Sequence, residues 1–190
     1  MSSKLLSTLG LTSPLLVVGA AWDNALKPGL WNKMIAKEIF EDDVDLSCVV
    51  FNAENERLDT AWYANLKCLD GAIRHSGDDT EGQDAGDDES LVIDFAQLGA
   101  DASHLFIVLS CFGKDSFANL QSCAVHLIDA TSRKVLWDVP VAVGNKNTAT
   151  IALHFARMGQ DWQINPVGLA AEGHNIQAVY MELRQFLQNA

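Results

Sequence analysis

Basic residues are scarce in this chain: 13 lysines and arginines stand against 25 aspartates and glutamates in 190 residues, a net charge of −12. Binding to a phosphate backbone relies on basic side chains that displace counterions, so DNA, RNA and anionic lipid are poor partners for it. Cysteine is scarce too. Cys48, Cys68, Cys111 and Cys123 follow one another at intervals of 20, 43 and 12 residues, with no CxxC pair and no Cys/His ligand spacing. That argues against a structural zinc site. The four thiols read as reduced and mostly buried in a cytoplasmic protein. Long apolar runs are missing as well. Leu5–Leu11 and Leu15–Ala21 are separated by Thr12-Ser13-Pro14, and neither approaches the ~18 residues that span a bilayer. Only Lys4 precedes them, which is weak support for a signal peptide; the second run reads as a buried strand.

What is plentiful is acid in two places. Residues 77–89 hold seven acids and three glycines in thirteen positions with no base, and Glu41-Asp-Asp-Val-Asp45 holds four acids in five. Together they account for 11 of the 25 acidic residues, and the remainder of the chain carries a net charge of only −1. The acidity is two local concentrations rather than a general property of the surface.

Elsewhere the chain is 48% hydrophobic and mostly strand-like. Short β-type runs recur at Leu15–Trp22, Asp45–Phe51, Thr60–Leu66, Leu91–Phe95, His104–Cys111, Gln121–Asp129, Lys134–Val139, Thr148–Phe155 and Asp161–Asn165, punctuated by Gly, Asn and Asp. This spacing predicts a mainly β fold, a β-sandwich of two antiparallel sheets within one domain over 1–190. One amphipathic helix is expected over 174–188. There Ile176, Val179, Tyr180, Leu183, Phe186 and Leu187 form a single apolar stripe that packs on a sheet. Residues 24–41 read as an insertion with a short helix after Pro28-Gly29.

Alternation along the first acidic stretch places Asp43, Asp45 and Ser47 on one face of a strand and Val44, Leu46, Cys48 and Val50 on the other. The two carboxylates then point away from the core. In the second stretch, Asp78, Asp79, Glu81, Asp84, Asp87, Asp88 and Glu89 repel one another, and Arg74 is the nearest base. Such a run is a solvated surface segment or a site for a counter-cation. A like-charged pair at 4 Å costs about 1 kcal/mol in water and about 4 kcal/mol at an effective dielectric near 20. Calcium fits best, since it takes six to eight oxygen ligands in flexible geometry, and one or two ions match the oxygens present. No EF-hand is present. With Gly82 or Gly86 at the sixth loop position, the first is Gly77 or Glu81 and the twelfth Asp88 or Val92.

The segment Tyr63-Ala-Asn-Leu-Lys-Cys-Leu-Asp-Gly-Ala-Ile-Arg-His-Ser-Gly-Asp-Asp-Thr-Glu-Gly-Gln-Asp-Ala-Gly-Asp-Asp-Glu89 resembles the signature of the TerD family of bacterial tellurium-resistance and stress-response proteins. Gly19-Ala-Ala-Trp-Asp23 is similar to that family's G-x-G-W-D, Asp43-Val-Asp-Leu-Ser47 to its D-x-D-x-S, and Gly168 to Leu187 to its C-terminal stretch and helix. The resemblance implies a β-sandwich, calcium bound by the acidic loop and the D-x-D element, and a cytoplasmic location. It further implies action with other tellurium-resistance or stress proteins, some at the inner face of the membrane, without direct membrane insertion. No enzymatic activity is established for the domain. Position by position, Asp43 and Asp45 match D-x-D, Asp78 and Asp79 match G-D-N, and Asp87, Asp88 and Glu89 match G-D-D-E. Gly82 matches the loop glycine, whose carbonyl is a candidate ligand, and Glu81 beside it completes the candidate metal set. Asp79 replaces the usual Asn and Asp84 a common Gly, the segment between Trp22 and Asp43 is longer, and the glycine-rich N-terminal element is absent. These departures mark a divergent member.

Two other chemistries are weighed beside the non-enzymatic reading. Clustered carboxylates also serve divalent-metal-dependent phosphoester hydrolysis, with His75 as a nearby base. Cys111, beside Lys114, is a candidate for thiol-based tellurite or oxidant handling. His75 in an extended segment reads more simply as a sheet or turn histidine, and Cys111 as a buried strand-end thiol.

Overall fold

Apolar alternation sorts the strands into two layers. The computed structural model describes residues 2–24, 43–77, 87–112 and 116–189. The insertion over 24–41, Asn24 excepted, lies outside the described residues. One sheet runs in the spatial order β1 (Lys4–Leu5), β12 (Asp161–Ala171), β11 (Ala149–Met158), β8 (His104–Cys111), β3 (Val44–Phe51), β4 (Arg57–Ala61). The other runs β10 (Val135–Pro140), β9 (Leu120–Asp129), β2 (Leu15–Asn24), β7 (Glu89–Asp94), β6 (Ile73–His75), β5 (Lys67–Cys68). Every pairing is antiparallel. The expected two-sheet sandwich is the observed fold.

The core between the sheets takes Leu16, Val18, Ala20 and Trp22 from β2, Leu46, Cys48 and Val50 from β3, and Leu105, Ile107 and Leu109 from β8. Each large apolar side chain buried there contributes roughly 1.5–3 kcal/mol. A second, smaller core lies on the outer face of the first sheet. There α1 (Ile176–Asn189) buries Ile176, Val179, Leu183 and Leu187 over Val49, Phe51, Phe106 and Val108. Tyr180 and Phe186, the other members of the predicted stripe, are partly buried at its margin. The helix starts at Ile176 rather than 174 because the Asn175 side chain accepts from the Ala178 N–H at 3.1 Å and caps it.

Buried carboxylates pin the turns. Asp129, at the end of β9, accepts from Ser132 Oγ at 2.5 Å and Thr12 Oγ1 at 2.6 Å. These hydroxyl donors, Ser132 first, hold its carboxyl well below the usual carboxylate range. All four cysteines are free and buried, as expected.

Some strand limits differ from the sequence expectation, each for a tertiary reason. The run Thr60–Leu66 is cut at Ala61. Trp62 and Asn65 exchange backbone hydrogen bonds of 3.2 and 2.8 Å across Tyr63-Ala64, and Asn65 Nδ2 donates to Thr60 O at 2.7 Å. The last strand continues past Asn165 through Pro166 to Ala171. Pro166 lacks an N–H; on one side β1 pairs only with Gln163 and Ile164 and does not reach it, and on the other it lies opposite Leu153, where the β11 pairing shifts register between Ile151 and Leu153. Strands β1, β5 and β6 are two or three residues long, too short to show alternation. Among the described residues, no helix is long and apolar enough to cross a membrane.

Candidate functional site

Strand β7 begins at Glu89, the last residue of the second acidic stretch, and that stretch's last three carboxylates diverge into three environments. Glu89 shares the inward parity of Leu91 and Ile93, so its side chain enters the space between the sheets and is fully buried. Its Oε2 accepts from the Leu46 N–H of β3 at 2.7 Å. Leu46 lies beyond the reach of β4, whose pairing with β3 stops at Cys48, so its backbone groups face an uncovered edge. His75 completes the cover. Its Nε2 is 2.9 Å from Leu46 O and 3.5 Å from Glu89 Oε2, while its Nδ1 accepts from the Gly77 N–H at 3.0 Å. With Nδ1 accepting, Nε2 carries the proton and donates to the carbonyl. Two side chains from the second sheet thus stand in for the missing stretch of β4.

Asp88 extends the ladder in its own sheet. Its N–H donates to Ala20 O at 2.8 Å, and its Oδ2 accepts from the Trp22 N–H at 2.9 Å. Asp87 turns to the outer face, where it lies against Gly19 and pairs with His126 Nδ1; His126 Nε2 is 3.7 Å from Asp138 Oδ1. Gly19 is flanked across the sheet by Ser90 and His126. A Cβ there would occupy the space of the Asp87 carboxylate. Gly19→Ala is therefore expected to displace Asp87 and break its pair with His126, at a cost of about 1–2 kcal/mol in denaturant titrations. Displacement appears as shifted His126 ring resonances; unchanged resonances would show that the glycine is not needed for this contact.

On β3 the predicted alternation holds. Val44, Leu46, Cys48 and Val50 enter the inter-sheet core, and Asp45 and Ser47 point the other way. They point away from that core, as expected, but not into water. The face continues into Val49 and Phe51 beneath α1, and Asp45 is only 2% exposed. The Asp43 carbonyl accepts from the Phe112 N–H at 3.0 Å, fastening the start of β3 to the end of β8.

Of the candidate metal set, Asp43, Asp45, Asp87, Asp88 and Glu89 are described, while Asp78, Asp79, Glu81 and Gly82 lie outside the described residues. The described members bring the ends of the two acidic stretches together, since Glu89 is bonded to the residue that follows Asp45. Among the described residues alone, no group of three His, Cys, Asp or Glu side chains is placed to hold an ion. The donor chemistry nonetheless suits a hard cation: carboxylates of two strand ends, several oriented by hydrogen bonds from the protein. Sequence reading left His126 unmarked. Its signal was weak, a single polar residue on a strand, and only cross-strand pairing sets it beside Gly19.

The other chemistries find less. His75 uses both ring nitrogens structurally. Cys111 is fully buried, and Lys114 lies outside the described residues. Burial raises the Cys48 thiol and pushes Cys68 and Cys123 up to about 12, which keeps them protonated.

Fold and site together define a two-sheet β-sandwich protein with an acidic strand-end site. The chain belongs to the TerD domain family, whose model matches residues 8–182. It is 25% identical over 165 residues to the tellurium resistance protein TerZ of Serratia marcescens, covering 87% of this chain and 84% of that one. It is also 25% identical over 170 residues to the stress response protein SCP2 of Bacillus subtilis, with 84% and 83% coverage. The fold matches the crystal structure of a homologue of the telluride resistance protein TerD from Streptomyces coelicolor. The TM-score is 0.68 at 15% identity, over 90% of this chain and 96% of that one.

Proposed function

We propose that the protein is a non-enzymatic, calcium-binding stress-response module of the tellurium-resistance type, which acts through protein partners in the cytoplasm. The observation that carries this reading is the hydrogen bond from Leu46 N–H to Glu89, which joins the two acidic stretches at one end of the sandwich. Asp43 and Asp45 from one stretch and Asp78, Asp79, Glu81, the Gly82 carbonyl, Asp87, Asp88 and Glu89 from the other would supply the ligands. Bound calcium would supply counter-charge to two stretches that hold eleven acids and no lysine or arginine. The names of TerZ and SCP2 support the physiological assignment. The commitment of His75 and the burial of Cys111 weigh against hydrolysis and thiol chemistry.

Calcium at about 100 times its dissociation constant should stabilise the fold by about 2.7 kcal/mol if only the native state binds it. Thermal melts in calcium, magnesium and EDTA read this as an upward shift of the melting temperature, roughly 5–11 °C for a domain of this size. Superimposable curves in the three conditions, with no heat in a calorimetric calcium titration, would remove the proposal. A positive titration also counts the ions, one or two.

A further inference from the structure

Two histidines meet on the outer face of the first sheet. Phe155 of β11 and Leu105 and Ile107 of β8 face the core between the sheets, so alternation turns His154, His104 and Phe106 to the side that carries α1. His154 lies opposite Phe106 and Ala156 opposite His104, which makes the two histidines diagonal neighbours on adjacent strands. Their rings stack with centroids 5.2 Å apart, and His104 Nδ1 is 3.0 Å from His154 Nε2. Phe106 stacks on His154 at 4.5 Å and Phe186 of α1 meets it edge-on at 5.4 Å, so that ring is held from two sides. His154 is buried, while half-buried His104 keeps the pair in reach of solvent. Asp45 pairs with Ser110, at the other end of β8, so the acidic strand ends are remote from this pair.

A purely structural role explains the pair poorly. Its neighbours beneath α1, Val49, Phe51, Phe106 and Val108, are apolar, and the desolvation cost of an imidazole there is only partly returned by one shared hydrogen bond. Metal ligation accounts for it better. Two nitrogens bound cis to one ion at ~2.0–2.1 Å stand about 3 Å apart, the separation found here. Burial lowers the pKa of both imidazoles, so at pH 7 both are in the neutral form that ligates. One ring of the neutral pair donates and the other accepts. Shifting the donor's proton to its far nitrogen presents both lone pairs and releases no proton. Imidazole suits late first-row ions, whose affinities peak at copper(II), whereas calcium and magnesium prefer oxygen.

We infer that His104 and His154 form a two-imidazole site for a late first-row transition-metal ion, copper(II) binding most tightly, with water completing its coordination. An ion there clips β8 to β11 beneath α1. The site differs from the acidic strand ends in place and in the class of ion, and it does not depend on calcium being bound there.

The test titrates copper(II) into the full chain in excess calcium and magnesium, which occupy sites built from oxygen. At one equivalent, electron paramagnetic resonance is expected to show coupling to two nitrogens. In NMR spectra of the unaltered protein, the ring resonances of His104 and His154 should broaden before those of His75, His126 and His174. Competition with a chelating dye should read at least a roughly tenfold loss of copper affinity for His104→Gln and for His154→Phe. The broadening pattern decides the matter should either variant fail to fold. Broadening that starts at another histidine, a signal without two nitrogens, or copper affinity unchanged in both variants overturns the inference. Calorimetric calcium uptake in the absence of copper tests the acidic site separately, and neither result alters the other.

Discussion

Replacing Glu89 with alanine is expected to lower stability in EDTA by roughly 2–5 kcal/mol, while glutamine costs under about 1 kcal/mol. The alanine variant strands the Leu46 N–H, which lies at a β3 edge that β4 does not cover. An interior donor left without an acceptor costs about 1–3 kcal/mol. The space of four heavy atoms adds a cavity term of about 1–2 kcal/mol, because the two sheets cannot collapse into it. Glutamine keeps the shape and one carbonyl oxygen for Leu46, so the clamp between sheets survives. Urea denaturation of the three proteins reads the difference as a fall in midpoint. Equal stability of the alanine and unaltered proteins would show that Glu89 does not tie the sheets together. Glutamine also separates structure from metal binding: in calcium, its stabilisation should shrink although its stability in EDTA is retained.

Acidification from pH 6.5 to about 4 should remove about 3 kcal/mol of stability through one side chain, His154. It lies on the outer face of the first sheet, stacked on Phe106 at 4.5 Å and edge-on to Phe186 of α1 at 5.4 Å. Its Nε2 is 3.0 Å from His104 Nδ1. Burial first, and the neighbouring imidazole second, bring its pKa down to about 4; burial lowers His104 as well. The unfolded chain takes up a proton on this group below about 6.5, the folded chain only near 4. Between those values the unfolded state holds more protons, so stability falls as pH falls, by about 1.4 kcal/mol per unit. His154→Phe removes the titration and keeps a ring against Phe106. The stability gap between this variant and the unaltered protein should change by about 3 kcal/mol in favour of the variant across that interval. Parallel pH profiles for the two proteins would refute the assignment. Asp129 and Asp161, whose carboxyls are depressed by hydrogen bonds from Ser132, Thr12 and Ser7, contribute above the usual carboxylate range and lose their effect only at lower pH.

The legible part of the fold is the part with local repetition. His104–Cys111 is found with its predicted limits, and Ile176, Val179, Leu183 and Leu187 of the predicted stripe are the buried face of α1. The extent of β12 past Pro166 is not legible locally, because strand tolerance for proline depends on where the neighbours pair: β1 stops at Ile164 and β11 shifts register beside Pro166. Tyr63-Ala64 misled the reading of β4 because the turn is closed by the Asn65 side chain reaching back to Thr60. For the site, the sequence marked Asp43, Asp45, Asp87, Asp88 and Glu89 by charge alone. It did not tell that the last three point in different directions, nor that His75 and His126 are their partners.

By itself the sequence determined the two-sheet sandwich, the C-terminal helix, the family and the positions of its acids, since alternation, the helical stripe and motif spacing are written in neighbouring residues. Tertiary structure alone decided that Glu89 and His75 complete the edge of β3, that Asp45 is buried beyond the inter-sheet core, and that Tyr63 and Phe112 meet at the surface. These contacts join residues far apart in the chain, and their geometry is set by which strand ends where in the opposite sheet, for which no local periodicity exists.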